Sequence, residues 1–151
     1  MRILAVDPGD KRIGIAISDP GGVIANPWGV INHVSRLVDA ASITALALEE
    51  GVGLIVVGQA LDDDNEVGPA GRKAQRMAQA IREQCELPVV LWDESGSTRL
   101  ARQAGIVLNV RRAHRRGHLD HLAATVILQS YLDAQQDSPL SWQDSHDEPT
   151  P

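Results

Sequence analysis

Acidic residues far apart in the chain lie where predicted strands end or a predicted helix begins. Asp7 ends the apolar run "RILAVD", Asp93 and Glu94 end "PVVLWDE", and Asp120 opens an apolar helical pattern. Carboxylates that converge repel one another unless a cation lies between them, and all-oxygen ligands favour Mg²⁺ or Mn²⁺ over zinc or copper. Two such ions, about 3.5–4 Å apart, could activate a water and stabilise the leaving oxygen of a phosphodiester.

Each of these acids has a purely structural alternative. Asp7 could simply open the Asp-Pro-Gly turn, and Asp120 could be a first-turn helix acid. Asp93 or Glu94 could cap a following helix, where an acid gains about 0.3–1 kcal/mol from the helix dipole. Alternation along the strand turns Asp93 away from Glu94. Glu94 is therefore the preferred candidate of the two.

Five strands are predicted from β-branched apolar runs bounded by turn residues. They are "RILAVD", "RIGIAIS", the irregular "GGVIANPWGVI", "LIVVG" and "PVVLWD". "LIVVG" is wholly apolar, as strands buried on both faces are, and "PVVLWD" is predicted to be another buried strand.

Four helices are predicted from apolar residues at helical spacing. They cover Ser35 to Glu50, the region from Ala70 to Cys85, about Ser97 to Ala104, and a last helix from near Leu119. The predicted inward-facing residues are Leu37, Ala41, Ala45 and Leu48 in the first helix, Ala70, Ala74, Met77, Ala78, Ile81 and Cys85 in the second, and Leu122, Ala123, Val126, Ile127 and Ser130 in the last.

The order of these elements predicts an α/β domain with a mixed sheet of three meander strands and two helix-linked strands, covered by helices. We expect one domain over residues 1–133 and a disordered acidic tail over residues 134–151. Ligand sites in such sheets lie at the carboxyl ends of strands. Asp7 and the Asp93–Glu94 pair are both expected there. The helical wheel places Asp120 on the flank of the buried stripe, from which it can face the sheet edge.

The net charge of −6 is unevenly distributed. Residues 133–151 contain five acids and no Lys or Arg, whereas the stretch between Glu94 and Asp120 contains no acid. That stretch is rich in arginine, which favours phosphate binding because a local field steers association more than the net charge does. The arginines are Arg99, Arg102, Arg111, Arg112, Arg115 and Arg116. The alternative is a solvated basic loop.

The cellular location is predicted from two features that the sequence lacks, a second cysteine and a long apolar stretch. The single cysteine, Cys85, has no intrachain partner, which fits a reducing compartment. No stretch reaches the roughly 18–20 apolar residues that a membrane span requires. We therefore expect a cytoplasmic protein with no membrane partner.

Two other groups of residues resemble metal sites only weakly. The run "DDDNEV" departs from a calcium loop because Val67 and Lys73 replace the required Gly and Glu. His114, His118 and His121 have ligand-like spacing on a helix, but they lie among arginines without a cysteine, so phosphate contact or solvation is preferred to zinc binding. His118, two residues before Asp120, is an auxiliary candidate for proton transfer or phosphate contact.

Taken together, the motifs resemble the YqgF (RuvX) family of bacterial Holliday-junction resolvases, also described as pre-16S ribosomal RNA nucleases. The matching segments are "DPGDKRIGIAISDP", "LIVVG", "PVVLWDES-ST" and "LDHLAATVILQSYLD", in the same order and spacing over roughly residues 1–133. The resemblance implies a ribonuclease H-like fold. It also implies a metal-binding catalytic triad of Asp7, Glu94 and Asp120, and substrate-backbone contacts for Lys11 and Arg12.

The chain departs from the family pattern at three places. Asp10 replaces the usual Thr and adds a negative charge beside the expected metals. "GQAL" replaces "GLPL" and is followed by an acidic loop. "DESGST" replaces "DERLTT", which loses Arg and Leu, gains Gly96 and retains Thr98 as an auxiliary candidate. The three carboxylates are all present.

The expected function is a Mg²⁺- or Mn²⁺-dependent endonuclease, with two ions, acting on structured RNA or branched DNA. The expected state is a monomer or homodimer. One alternative is a non-catalytic nucleic-acid-binding module in ribosome maturation or transcription. Another is an actin-like ATPase relative, because the first motif resembles a phosphate loop, but 151 residues cannot hold the second domain that such proteins need.

Overall fold

The computed structural model describes residues 1–59, 68–93 and 120–137, with the backbone alone at residues 69, 70, 93, 120, 121 and 137. In chain order the elements are β1 (Arg2–Pro8), β2 (Arg12–Ser18), β3 (Ala25–Asn32), α1 (Arg36–Glu49), β4 (Val52–Gln59), α2 (Pro69–Gln84), β5 (Val89–Asp93) and α3 (Asp120–Asp137). Among the described residues, no helix is both long and apolar enough to cross a bilayer.

The strands form one mixed sheet in the order β3-β2-β1-β4-β5. β1 pairs antiparallel with β2 and β2 with β3, whereas β1 with β4 and β4 with β5 are parallel. The predicted meander followed by helix-linked strands is therefore confirmed. Because the parallel strands share a direction, the carboxyl ends of β1, β4 and β5 lie at one edge of the sheet.

The outer strand β3 is irregular, as the sequence predicted. Its pairing with β2 shifts between Ile15, which lies opposite Gly29, and Ala16, which lies opposite Pro27. Trp28 is therefore an extra residue on β3, a β-bulge. Gly29 has a φ of 150°, a conformation that favours glycine.

The sheet is covered on both faces, and β1 alternates between two cores. Leu4 and Val6 pack with α1 and α2, while Ile3 and Ala5 pack with α3. Since side chains alternate along a strand, Asp7 follows Ile3 and Ala5 onto the α3 face. Asp7 is half-buried there.

The predicted inner face of α1 is wrong. Ala40, Ile43 and Ala47 are fully buried, whereas Leu37 and Leu48 are 66% and 65% exposed. The cause is Asp39, which is also fully buried: its carboxylate contacts Nδ1 of His33 and accepts the backbone N–H of Val34 at 3.0 Å. These contacts hold Asp39 on the buried side of α1, and Leu37 and Leu48 therefore face solvent.

Ala41 and Ala45, the other two residues of that predicted face, are exposed as well. Ser35 begins the helix as predicted, as an N-cap whose Oγ accepts the N–H of Val38 at 3.2 Å. The helix boundaries were thus predicted better than its orientation.

The predicted inner face of α2 is confirmed at Ala74, Met77, Ala78 and Ile81, which are buried. Cys85 is half-buried against the same core. The side chain of Ala70 lies outside the described residues.

For α3 the prediction is right only in part. Ile127 and Ser130 are buried, but the other core residues are Ala124, Leu128 and Leu132. The remaining three predicted residues, Leu122, Ala123 and Val126, are half-buried. The helix is apolar over much of its circumference, so its periodicity does not single out one face.

α3 ends at Asp137, beyond the predicted domain boundary at residue 133. The tail was predicted over residues 134–151; residues 134–137 belong to α3, and residues 138–151 lie outside the described residues, as does the predicted helix from about Ser97 to Ala104.

Shortening an apolar side chain should destabilise the protein when the residue lies on the buried face of α1 and should have little effect when it lies on the exposed face. Ile43→Ala should lower the free energy of unfolding by about 2–5 kcal/mol, because it leaves a cavity in the core. Leu37→Ala, on the exposed face, should change it by no more than about 0.5 kcal/mol. Urea denaturation of both variants measures the difference. A larger loss for Leu37→Ala than for Ile43→Ala would mean that α1 is turned the other way.

Candidate active site

Asp7 lies near the carboxyl end of the central strand, with glycine on both sides. It pairs with Gly14 on β2. On β4, the register that pairs Val6 with Val57 makes Gly58 the next residue alongside. Both of these neighbours are glycines, so the positions directly beside Asp7 on β2 and β4 carry no side chain. Glycine at such positions is typical of sites that a ligand approaches closely.

The loop between β1 and β2 is held by a lysine that the sequence reading missed. Lys73 Nζ, from α2, donates to the carbonyl oxygen of Gly9 at 2.6 Å and to Oδ1 of Asp10 at 2.7 Å. The turn is so tight that a Cβ on Gly9 would lie 2.1 Å from the carbonyl oxygen of Arg12. Only glycine fits there, so the conformation of the loop after Asp7 is closely restricted.

Asp10 was expected to add a negative charge beside the metals. In the structure its carboxylate is paired with Lys73. The hydrogen bond and the positive charge of Lys73 hold the pKa of the Asp10 carboxyl below its ordinary value of 3.8. Asp10 is therefore ionised at neutral pH, with its charge balanced by α2.

β5 brings the second acidic segment to the same edge of the sheet. Val89 and Leu91 pack on the α1–α2 side, and Val90 and Trp92 pack on the α3 side. The strand ends at Asp93, which lies beside Gln59 of β4. Glu94 is the next residue in the chain and lies outside the described residues.

The third acid, Asp120, is the first residue of α3, the helix that packs over the face carrying Asp7. Its side chain is outside the described set. On the β5 side, Trp92 Nε1 donates to Ser130 Oγ at 3.1 Å, and the Trp92 and Tyr131 rings meet edge to face at 5.3 Å.

On the β3 side, Gln129 holds the same helix. Its Nε2 donates to the carbonyl oxygen of Val23 at 3.0 Å, and its Oε1 accepts the N–H of Ala25 at 2.9 Å. α3 is thus tied by side chains to both outer strands. Neither Trp92 nor Gln129 was predicted to anchor the helix, because no local pattern in the sequence links either residue to its hydrogen-bond partners.

The predicted basic residues divide into two groups. Lys11 and Arg12 are exposed at the β1–β2 loop, near Asp7 in the chain. The other predicted contacts and auxiliaries lie outside the described residues: Thr98, Arg99, Arg102, Arg111, Arg112, Arg115, Arg116 and His118. Within the described part of the chain, no three His, Cys, Asp or Glu residues cluster as metal ligands.

The chain matches a family model described as "RuvX: Holliday junction resolvase" over residues 1–134. It is also similar to curated proteins named "Putative pre-16S rRNA nuclease". One from Thermoanaerobacter pseudethanolicus is 39% identical, with 90% of this chain and 99% of the relative covered. One from Geobacillus kaustophilus is 40% identical, with 90% and 100% covered.

Two solved structures have a similar fold at low sequence identity. RuvC from T. thermophilus, in complex with a Holliday junction substrate, aligns with a TM-score of 0.58 and 16% identity over 91% of this chain and 97% of RuvC. The fowlpox virus Holliday junction resolvase aligns with a TM-score of 0.52 and 15% identity over 89% and 99%. The predicted ribonuclease H-like α/β fold is confirmed by these resolvases.

Removing the lysine that pairs with Asp10 should change the titration of that carboxyl. In a Lys73→Met variant, the Asp10 pKa should rise towards 3.8, because both the hydrogen bond and the favourable charge are lost. Carbon-detected NMR titration measures this pKa. Arg72→Met, also on α2, removes the same charge without this contact and should leave the Asp10 pKa unchanged.

The pH dependence of stability follows from the same ion pair. Because the folded pKa is lowered, its stabilisation is present above pH 3.8 and is lost as the pH falls through the folded pKa. An Asp10 carboxyl that titrates at its ordinary value in the parent protein would contradict the contact.

Proposed function

Because the chain belongs to the RuvX family of Holliday junction resolvases, we propose that it is a metal-dependent endonuclease that hydrolyses phosphodiester bonds in structured nucleic acid. One observation carries the proposal. Asp7 stands at the carboxyl end of the central strand, between two glycines, on the face that is covered by the helix beginning at Asp120. Such a position is the usual ligand site of a sheet of this class.

The proposed catalytic and metal-binding residues are Asp7, Glu94 and Asp120. Alternation along β5 puts Val90 and Trp92 on the α3 side. If the strand register continued by one residue, Glu94 would share that side with Asp7. The start of α3 would supply Asp120. Three carboxylates from three separate elements would then meet at one edge of the sheet.

The donor set fits a hard divalent cation. Carboxylate oxygens are preferred ligands of Mg²⁺ and Mn²⁺, and the residues directly beside Asp7 on both neighbouring strands are glycines. We propose two ions. When bound, they would supply electrostatic stabilisation of the attacking and leaving oxygens in an in-line displacement at phosphorus.

The remaining residues of the proposal position the substrate. Lys11 and Arg12, exposed at the loop that follows Asp7, would contact the substrate backbone and position it. The proposed further contacts are Arg99, Arg102, Arg111, Arg112, Arg115 and Arg116, with Thr98 and His118 as auxiliaries. His118 would hold a phosphate or deliver a proton to the departing oxygen.

Two substrates are proposed, structured precursor ribosomal RNA and branched DNA. The curated relatives are named for pre-16S rRNA, and the RuvC structure contains a Holliday junction. A cleavage assay that presents both substrates in parallel discriminates between them. Cytoplasmic location and a monomeric or homodimeric state remain predictions.

Neutralising Asp7 tests the proposed metal site most directly. Asp7→Asn should reduce Mg²⁺-dependent cleavage by at least about a hundredfold, since a metal ion supplies several kcal/mol of transition-state stabilisation. Rates on a four-way junction and a pre-16S rRNA fragment are measured with Mg²⁺ or Mn²⁺ and with EDTA. Asp10→Asn is the matched control in the same loop and should stay within about threefold of the parent.

Cleavage by Asp7→Asn at the parental rate would refute this assignment. Metal-independent binding of both substrates without cleavage would favour the non-catalytic module instead.

The end of β5 offers a second matched pair, because Asp93 and Glu94 are adjacent acids. Glu94→Gln should lower the cleavage rate by roughly a hundredfold or more, and Asp93→Asn should change it by less than about tenfold. The reason is that, if the alternation of β5 continued through these two residues, only Glu94 would face the α3 side. Single-turnover rates in Mg²⁺ measure both variants. The reverse order of effects would move the metal ligand to Asp93.

A further inference from the structure

A pocket lies on the opposite side of the β1–β2 loop from the face that carries Asp7. It has a volume of about 430 Å³ and is bounded by this loop, the start of α1 and α2. Ile13 and Met77 line it and belong to the α1–α2 core, which fixes the face on which it lies. We call it the arginine pocket, after Arg36 and Arg76, which also line it.

The charges in the arginine pocket do not balance. Its acid, Asp39, is fully buried and already engaged by His33 and the Val34 N–H. Lys73 is engaged by Asp10 and the Gly9 carbonyl oxygen. Arg36 and Arg76 are exposed and form no ion pair with any residue in the described ranges.

Two arginines without acidic partners, at the rim of an open pocket, are suited to an anion. The guanidinium group presents a planar fork of donors that matches a phosphate in bidentate geometry. Lys73 and His33 add further nitrogen atoms to the lining. A phosphate group is therefore the ligand that this surface recognises best.

The arginine pocket is close to the proposed cleavage site. Gly9 lines the pocket and is two residues after Asp7, which is at most about 7 Å along an extended chain. A nucleic-acid strand bound at Asp7 can thus place a neighbouring phosphate across the β1–β2 loop, in the arginine pocket. Lys73, which holds that loop, faces the same pocket.

We propose that the arginine pocket binds a backbone phosphate of the nucleic acid, displaced along the strand from the phosphate that is cleaved. This inference rests on the proposed function for the identity of the ligand. Arg36 and Arg76 are the residues that hold the phosphate, and they position the strand without taking part in the chemistry.

The test measures binding without cleavage. Fluorescence anisotropy with a labelled four-way DNA junction and with a pre-16S rRNA fragment, in EDTA, gives Kd over a range of salt concentrations. Arg76→Gln should weaken binding by about three- to tenfold and lower the slope of log Kd against log salt by about 1, as loss of a phosphate contact does. The double variant Arg36→Gln, Arg76→Gln should weaken it further.

Arg72→Gln is the matched control. Arg72 is exposed on the same helix, one turn before Arg76, but does not line the arginine pocket. It should bind within about twofold of the parent, with the same salt slope. Thermal melts of all variants should coincide, since the three arginines are exposed and make no described ion pair.

Equal Kd and salt slope for Arg76→Gln, the double variant and Arg72→Gln would overturn the inference, even if the parent cleaves. Conversely, an active Asp7→Asn enzyme would refute the proposed metal site while leaving the binding result valid. If the parent binds neither nucleic acid, both proposals fail.

A final measurement separates a backbone phosphate from a free one. Calorimetric titration with pyrophosphate compares the parent with the double variant. Pyrophosphate binding that depends on the two arginines, together with unchanged nucleic-acid binding, would assign the pocket to a small phosphorylated ligand and overturn the backbone proposal. Competition between pyrophosphate and the junction, lost in the double variant, would support it.

Discussion

The structure depends on the double burial of its central strand. β1 is paired on both edges and packed on both faces, so Leu4, Ala5 and Val6 are fully buried. A strand in this situation cannot slip by one residue without moving every side chain to the opposite face. Its register therefore determines which face receives Asp7. A carboxylate at the end of such a strand is directed to one face of the sheet more firmly than a carboxylate on a surface loop would be.

The second requirement is that α3 lies across the face to which Asp7 points. Its core contacts are apolar and tolerate small shifts of the helix, whereas its polar contacts do not. Trp92 ties it to β5 and Gln129 ties it to the start of β3 and the residues before it. Hydrogen bonds at both sides restrict the rotation and translation of the helix. The start of the helix, at Asp120, inherits that restriction.

The sequence predicted the features that depend on local pattern. The strands were placed correctly from the alternation of their residues and from the turn residues between them. The buried face of α2 was placed correctly from the helical spacing of its apolar residues. The wrong face was predicted for α1 because a buried acid, Asp39, breaks the rule that charged residues face solvent. Its partners, His33 and the N–H of Val34, lie just before the helix and explain the exception. The buried face of α3 was predicted only in part, because the apolar residues of this helix do not favour one face.

The sequence predicted that Asp7 lies at the end of a strand, and the structure confirms this position; its role as a metal ligand stays a prediction. The contact of Lys73 was not predicted, because its partner Asp10 is 63 residues away in the chain and no local signal connects them. Pairings of this kind, between a loop and a distant helix, follow from the fold rather than from spacing.

The irregular outer strand has a consequence for the molecule in a crowded cell. An open strand with regular spacing offers its backbone to any other chain that can extend the sheet. In β3, Pro27 has no N–H to offer, and the extra residue Trp28 breaks the spacing that such an addition would need. Among the described strands β3 pairs only with β2, and this interruption makes its other side a poor template for a further strand, at the end of the sheet remote from β5.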